Sequence, residues 1–341
     1  MSNVTISESI KYIGADDTTL DLFESQYIIP NGISYNSYVI LDEKVAVMDT
    51  IDARKSEEWF NNLSNVLAGR NVDYIVISHL EPDHAANIKA LSDKYPDAKL
   101  VLSAKAKAML PQFFAMDNLD DKCIIAAEGQ ELSLGTHNLK FIMAPMVHWP
   151  EVMLEYETTE KVLFSADAFG KFGALSASED WTCEARRYYF NIVGKYGAPV
   201  QTLLKKAAAL DIRTICPLHG PVLKENLEFY IGKYLTWSSY EPEDDGVLVA
   251  CASIHGNTKT AAEKMVNARK FPYLILQEMI WQKPLKMLSD TAGLLLLQHL
   301  MMVVYSHLWK TSLAVFPTKL TRTVKSESSK MVRGHLLPAN V

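Results

Sequence analysis

The sequence predicts an α/β protein in two parts. Residues 1–240 form a sheet-on-sheet core with helices outside it, and a nucleotide-type α/β domain opens after them. Three observations carry this. Short apolar strand-like runs follow one another both directly and across helical segments, which a purely parallel sheet does not do. Several of these runs end in an imidazole or a carboxylate. The breaker and charge cluster Tyr240 to Gly246 then precedes a buried-type strand and a glycine-bearing loop.

The elements read as follows. Tyr38-Val39-Ile40-Leu41 and Val45-Ala46-Val47-Met48 are strands, the second ending at Asp49. Ser56 to Leu67 has helical spacing, with Trp59, Leu63 and Val66 on one face. Tyr74-Ile75-Val76-Ile77 is a strand, and a helix runs from Ala85 to Leu91. Leu100 to Leu102 is a strand and Lys105 to Phe114 a helix. Lys140–Met143, Val152–Tyr156 and Lys161–Phe164 are strands. Arg186–Tyr196 and Val200–Leu210 are helical, and Thr214-Ile215-Cys216 is a short strand. After the linker come the strand Val247 to Ala252, the loop Ser253-Ile254-His255-Gly256-Asn257-Thr258 and the helical Thr260 to Met265. Backbone N–H groups and hydroxyls at such a helix start make a phosphate cradle.

The chemistry concentrates in His79-Leu80-Glu81-Pro82-Asp83-His84, directly after the strand 74–77. Four metal-capable side chains at one strand end need a cation, or they carry a desolvation cost. Three later residues stand at strand ends or turns: His148, Asp167 and His219. Each alone reads as an ordinary loop histidine or a helix cap. Together with the first cluster they give seven nitrogen and oxygen donors and no sulfur. Seven donors suit two metals sharing a carboxylate. Asp167 is the natural bridge, because its two oxygens can face different ions. Glu81, where a third imidazole would favour zinc, tilts the set toward iron.

The bulk numbers exclude several classes. A net charge of -6 with 22% charged residues leaves no nucleic-acid footprint. Cys123, Cys183, Cys216 and Cys251 form no Cys-x-x-Cys pair, so a zinc ribbon or rubredoxin-type iron site is not expected, and their scatter fits a reducing cytoplasm. The polar N-terminus carries no signal-peptide pattern. Gly293 to Trp309 is apolar but interrupted by Gln298, His299, Ser306 and His307, so no membrane span is expected.

These motifs resemble the flavodiiron proteins, in which a metallo-β-lactamase-fold αββα di-iron domain is fused to a flavodoxin-like domain. The matching residues are His79 to His84, Val147-His148-Trp149-Pro150, Ser165 to Gly170 and Cys216 to Pro221, with Pro30 to Tyr38 and Ala185 to Tyr189. The resemblance covers residues 1 to about 265. It implies that His79, Glu81 and His148 hold one iron, that Asp83, His84 and His219 hold the other, and that Asp167 bridges. It further implies reduction of O2 to water or NO to N2O, with electrons arriving through FMN from a rubredoxin-type donor. Glu81, Asp167 and Trp149 are the expected catalytic residues, with Trp149 and Glu81 lining the path from flavin to iron. Ser253, Ile254, His255, Gly256, Asn257 and Thr258 are expected to cradle the FMN phosphate. A head-to-tail homodimer is implied, with one subunit's flavin beside the other's irons. The alternatives are a zinc hydrolase of the same fold and a silent metal-binding remnant. Glu81 and the flavodoxin start at Val247 argue against the hydrolase.

Two departures stand out. Phe172 to Trp181 is shorter than the family usually carries between the bridging Asp and the last His. The resemblance also stops near Met265. Residues 241–265 thus read as the start of the flavodoxin-like domain and 266–341 as an aberrant, poorly ordered tail lacking alternating strands and helices. A reading-frame shift accounts for it. Plausible codons for Glu278–Leu288, Leu300–Trp309 and Ser326–Leu337, read one nucleotide earlier, give family-like segments in one shared frame, two of them similar to flavin-contacting loops. On that reading FMN binding is doubtful in this chain.

Overall fold

The computed structural model describes residues 4–116 and 118–243 and, beyond them, 247–250, 255–257, 260, 261, 263, 264 and 273–276. The chain divides into two units, Met1–Ser239 and Tyr240–Val341.

The first unit contains two principal sheets. One orders its strands Ile10–Tyr12, Tyr38–Leu41, Val45–Met48, Tyr74–Ile77, Lys99–Ser103 and Cys123–Ala126. Its first two pairings are antiparallel and the remaining three parallel. The other runs Glu131–Ser133, Asn138–Met143, Met153–Glu157, Val162–Phe164 and Thr214–Cys216, antiparallel except for the last pair. This is the αββα sandwich the motifs implied.

Strand periodicity explains the layering. Along Tyr74–Ile77, Tyr74 and Val76 join one core cluster, whereas Ile75 and Ile77 join another. The first cluster combines Ala46, Met48, Val76 and Val101 of one sheet with Phe141, Met153, Val162 and Phe164 of the other, so it is the inter-sheet core. The second adds helix residues such as Trp59, Leu63, Leu203 and Trp237. Strands buried on both faces read as continuous apolar runs, as Tyr74-Ile75-Val76-Ile77 does.

Several elements differ from their sequence reading. Ser56–Leu67 is helical as expected, but its buried stripe is Trp59, Leu63 and Leu67, while Val66 is half-buried. The i, i+4, i+8 spacing selects that line. The helix expected from Ala85 is split into Pro82–Ala85 and Ile88–Lys94. The helix expected from Arg186 starts at Trp181, where Asp180 Oδ2 accepts from the N–H groups of Thr182 and Cys183. Helix Leu227–Ser238 was not foreseen.

In the second unit, Val247–Ala250 pairs in parallel with Tyr273–Leu276. That second strand lies in a stretch expected to hold none. A four-residue apolar run carries too little periodicity to be read from sequence. Parallel neighbours need a crossover, and residues 260, 261, 263 and 264 between them are helical. The frame-shift reading otherwise concerns residues outside those described, as does Gly293 to Trp309. Among the described residues no helix is long and apolar enough to cross a membrane.

Candidate metal centre

The seven predicted donors converge from four segments that follow strand ends. His79 and Glu81 follow the strand Tyr74–Ile77, and Asp83 and His84 lie in the short helix behind it. His148 follows Asn138–Met143, Asp167 follows Val162–Phe164, and His219 follows Thr214–Cys216. They form two groups: His79, Glu81, His148 and Asp167, and Asp83, His84 and His219.

Asp167 stands between them. Its Oδ2 lies 3.1 Å from His148 Nε2 and 3.5 Å from His79 Nε2. Its Oδ1 lies 3.1 Å from His84 Nε2 and 3.8 Å from His219 Nε2. Glu81 Oε2 closes the first group, 3.2 Å from His79 Nε2 and 3.0 Å from His148 Nε2. Asp83 Oδ2 closes the second, 3.3 Å from His84 Nε2 and 3.2 Å from His219 Nε2.

The donors fit metal ions. Both carboxylate oxygens of Asp83 and Asp167 and the Nε2 atoms of His84 and His219 are buried without an aligned hydrogen bond. Groups that approach so closely without bonding one another are aimed at shared points. Donors bound at right angles about 2.1 Å from one ion stand about 3 Å apart, which matches the spacings here.

Without ions the charges must balance among themselves. Burial works against a protonated His84, but the Asp83 and Asp167 carboxylates outweigh it and lift the imidazole to about 9. Burial opposes His148 likewise, and Asp167 and Glu81 lift it to about 9. His79 is raised well above its ordinary value, against burial, by Glu151 and Glu81. Burial would raise Asp167, but His84, His148 and His79 hold it well below the usual carboxylate range. Glu81 is held down in the same way by His148 and His79.

The surrounding contacts orient the ligands. His79 Nδ1 meets Glu151 Oε1 at 2.8 Å, and His219 Nδ1 meets the Ser34 carbonyl at 2.7 Å. Such partners fix which ring nitrogen faces the metal. Ala166 (φ 48) and Phe169 (φ 68) bracket Asp167 in left-handed backbone, a strain that collects at functional sites. The loop is pinned by Phe169 N–H donating to Tyr234 Oη at 2.6 Å and Leu218 N–H to the Ala166 carbonyl at 2.9 Å. Gly170 is required there, since a Cβ would sit 2.9 Å from the Asp167 carbonyl oxygen.

Sequence reasoning missed Glu151, although a carboxylate three residues after His148 was a usable signal. It also missed the hairpin of Leu22–Phe23 and Tyr27–Ile28. Phe23 and His219 pack edge to face, their ring centres 5.4 Å apart. Glu24, in left-handed backbone (φ 49), follows directly on Phe23 at the tip of this hairpin. Trp149 stands edge-on to His79 at 5.1 Å, with Phe113 6.2 Å beyond it. Of the FMN residues, Ser253, Ile254 and Thr258 lie outside the described residues. His255 and Gly256 form the bend that leads into the helical Asn257, with Gly256 at φ +84 and its carbonyl accepting from Thr260 N–H at 2.9 Å.

This donor set on this sandwich defines a dinuclear metal protein of the metallo-β-lactamase fold. A family model described as "ODP family beta lactamase" matches residues 33–220, more than half of the chain. A nitric oxide reductase of Moorella thermoacetica is 30% identical over 275 residues, covering 78% of this chain and 67% of that protein. The rubredoxin-oxygen oxidoreductase of Megalodesulfovibrio gigas is 29% identical over 276 residues, covering 76% and 67%. Among solved structures, the flavodiiron protein from Giardia intestinalis superposes with a TM-score of 0.75 at 26% identity, covering 81% of this chain and 70% of that one. The chain belongs to this ODP family, in the flavodiiron group. It spans between about half and two thirds of the length of the first curated relatives it matches.

Proposed function

We propose that the chain is a di-iron oxidoreductase that reduces O2 to water or NO to N2O. Electrons reach such a centre through FMN from an external donor of the rubredoxin type, and a frame-shifted flavin domain would impair that supply in this chain. The observation that carries this reading is the all-nitrogen-and-oxygen donor set with Asp167 between its halves. Relatives named for nitric oxide reduction and for oxygen reduction support both substrates.

Irons held by His79, Glu81, His148, Asp167, Asp83, His84 and His219 would supply electrons from adjacent centres, and positive charge where a reduced diatomic gathers negative charge. The chain's own residues do the rest. Glu151 and the Ser34 carbonyl orient His79 and His219. Phe23, packed on His219, keeps water from that side. Trp149, against His79, lines the side where electrons enter. His255, Gly256 and Asn257 belong to the phosphate cradle for FMN. A head-to-tail homodimer brings one subunit's flavin to the other's metal centre, and the four scattered cysteines fit a reducing cytoplasm.

The test is metal analysis of the purified chain followed by anaerobic turnover with an artificial donor, each gas supplied separately. Two irons per chain and consumption of either gas are expected. An iron-loaded chain that consumes neither gas overturns the reading.

A further inference from the structure

Ser78, the residue before His79, is held by two buried carboxyls from different sheets. Its N–H donates to Asp49 Oδ1 at 2.8 Å, and its hydroxyl donates to Glu155 Oε2 at 2.9 Å. Its carbonyl accepts from Met153 N–H at 3.1 Å. Asp49 ends the strand Val45–Met48 in left-handed backbone (φ 53), and Glu155 lies in the strand Met153–Glu157. Asp49, Ser78 and Glu155 are 2%, 1% and 0% exposed.

The two acids meet opposite demands. Asp49 accepts a backbone N–H and faces the imidazoles of His79 and His84, so it suits the charged form. Glu155 faces only Asp49 and the Ser78 hydroxyl. Its Oε1 is buried without a partner, and among the described residues no cation pairs with it. An ionised carboxylate there would be desolvated, repelled and served by one donor. As the neutral acid it accepts from Ser78 on Oε2 and keeps its proton on Oε1. Two carboxyls pushed apart by their surroundings take different roles.

We propose that Glu155 is a positioning residue of the metal centre, working as a neutral carboxylic acid: through Ser78 it fixes the strand end from which His79 and Glu81 project. Burial and then the Asp49 charge push its carboxyl well above the usual range, and burial lifts Asp49 to about 6. The inference rests on the di-metal reading of the site, and on no particular reaction there.

The test uses the full chain and ferrous iron, with affinity measured anaerobically by chelator competition. Glu155→Gln, which keeps the acceptor for Ser78, is expected to bind within about twofold of wild type. Glu155→Ala and Ser78→Ala are expected to weaken binding about tenfold or more, as loss of groups that orient ligands does. Infrared spectra at neutral pH are expected to show a protonated carboxyl C=O band that Glu155→Gln removes. Glu155→Gln weakening binding as much as Ser78→Ala, Ser78→Ala binding normally, or no such band in wild type overturns the proposal. These readouts decide it even where Glu155→Ala fails to fold. A wild-type chain that binds no iron counts against the di-metal reading, and the infrared band still decides the state of Glu155.

Discussion

Filling the metal centre must expel protons, and the structure sets how many. His84 and His148 are lifted to about 9 in the metal-free protein, and His79 is raised well above its ordinary value. At pH 7.5 these imidazoles carry protons, which metal coordination removes because a ligand imidazole must be neutral. Glu81 and Asp167 are already ionised and contribute none. Loading both ions is therefore expected to release about two to three protons per chain. Titration calorimetry in buffers of different ionisation enthalpy reads this number directly. The same shifts govern the metal-free protein with the opposite sign. A rise from 6.5 to about 9 corresponds to about 3 kcal/mol for each buried imidazole. That stabilisation is fully present below pH 6.5 and is lost as pH climbs through 9. The metal-free Tm is thus expected to fall between pH 6.5 and 9, while apparent metal affinity rises. The gap between metal-loaded and metal-free Tm widens. Proton release near zero, or a gap that stays constant across that range, refutes the reasoning.

Asp167→Ala removes the group facing both halves and is expected to lower iron content from two toward zero to one per chain, measured by elemental analysis, with the fold retained by circular dichroism. Trp59→Ala empties a fully buried site and is expected to cost about 3–5 kcal/mol in chemical denaturation. His137 bridges Asp42 at 2.8 Å and Glu160 at 3.0 Å; burial opposes its charge, but those two carboxylates raise it. His137→Ala is expected to destabilise strongly at pH 6 and less at pH 9, because the charged bridge is lost as pH rises through the raised value; urea midpoints at both pH values check it. The frame-shift reading of the tail predicts no stoichiometric flavin band in the absorbance of the purified chain, and sequencing the gene across codons 262–275 tests its cause.

The ligands were legible because metals demand a narrow set of side chains, and each sits just beyond an apolar strand run that the sequence displays. Tyr38–Leu41, Val45–Met48, Tyr74–Ile77 and Thr214–Cys216 have the predicted bounds, because four apolar residues between breakers leave little freedom. Ile10–Tyr12 was not legible: three residues become a strand only by pairing with Tyr38–Ile40. The strand Met153–Glu157 hides Glu155 and Glu157 at 0% exposure, against the rule that charge marks the wet face. Glu155 is met by Ser78, brought in by tertiary contact, and Glu157 accepts from the Thr159 and Glu160 N–H groups of the turn that follows it. The Ser34 carbonyl that orients His219 has no side-chain signature at all.

The donors of each ion come from both sheets: Asp83 and His84 from one, Asp167 and His219 from the other. Each cation is therefore a staple across the sandwich as well as a reagent. A chain still emerging from the ribosome holds most of its donors early, but His219 arrives last, 140 positions after His79. Capture of the ion that Asp83, His84 and His219 hold must wait for synthesis to pass the final strand and for the two layers to dock. Iron supply then acts on the finished sandwich, and chelation in the cell would loosen the seam between its layers before it touched either sheet alone.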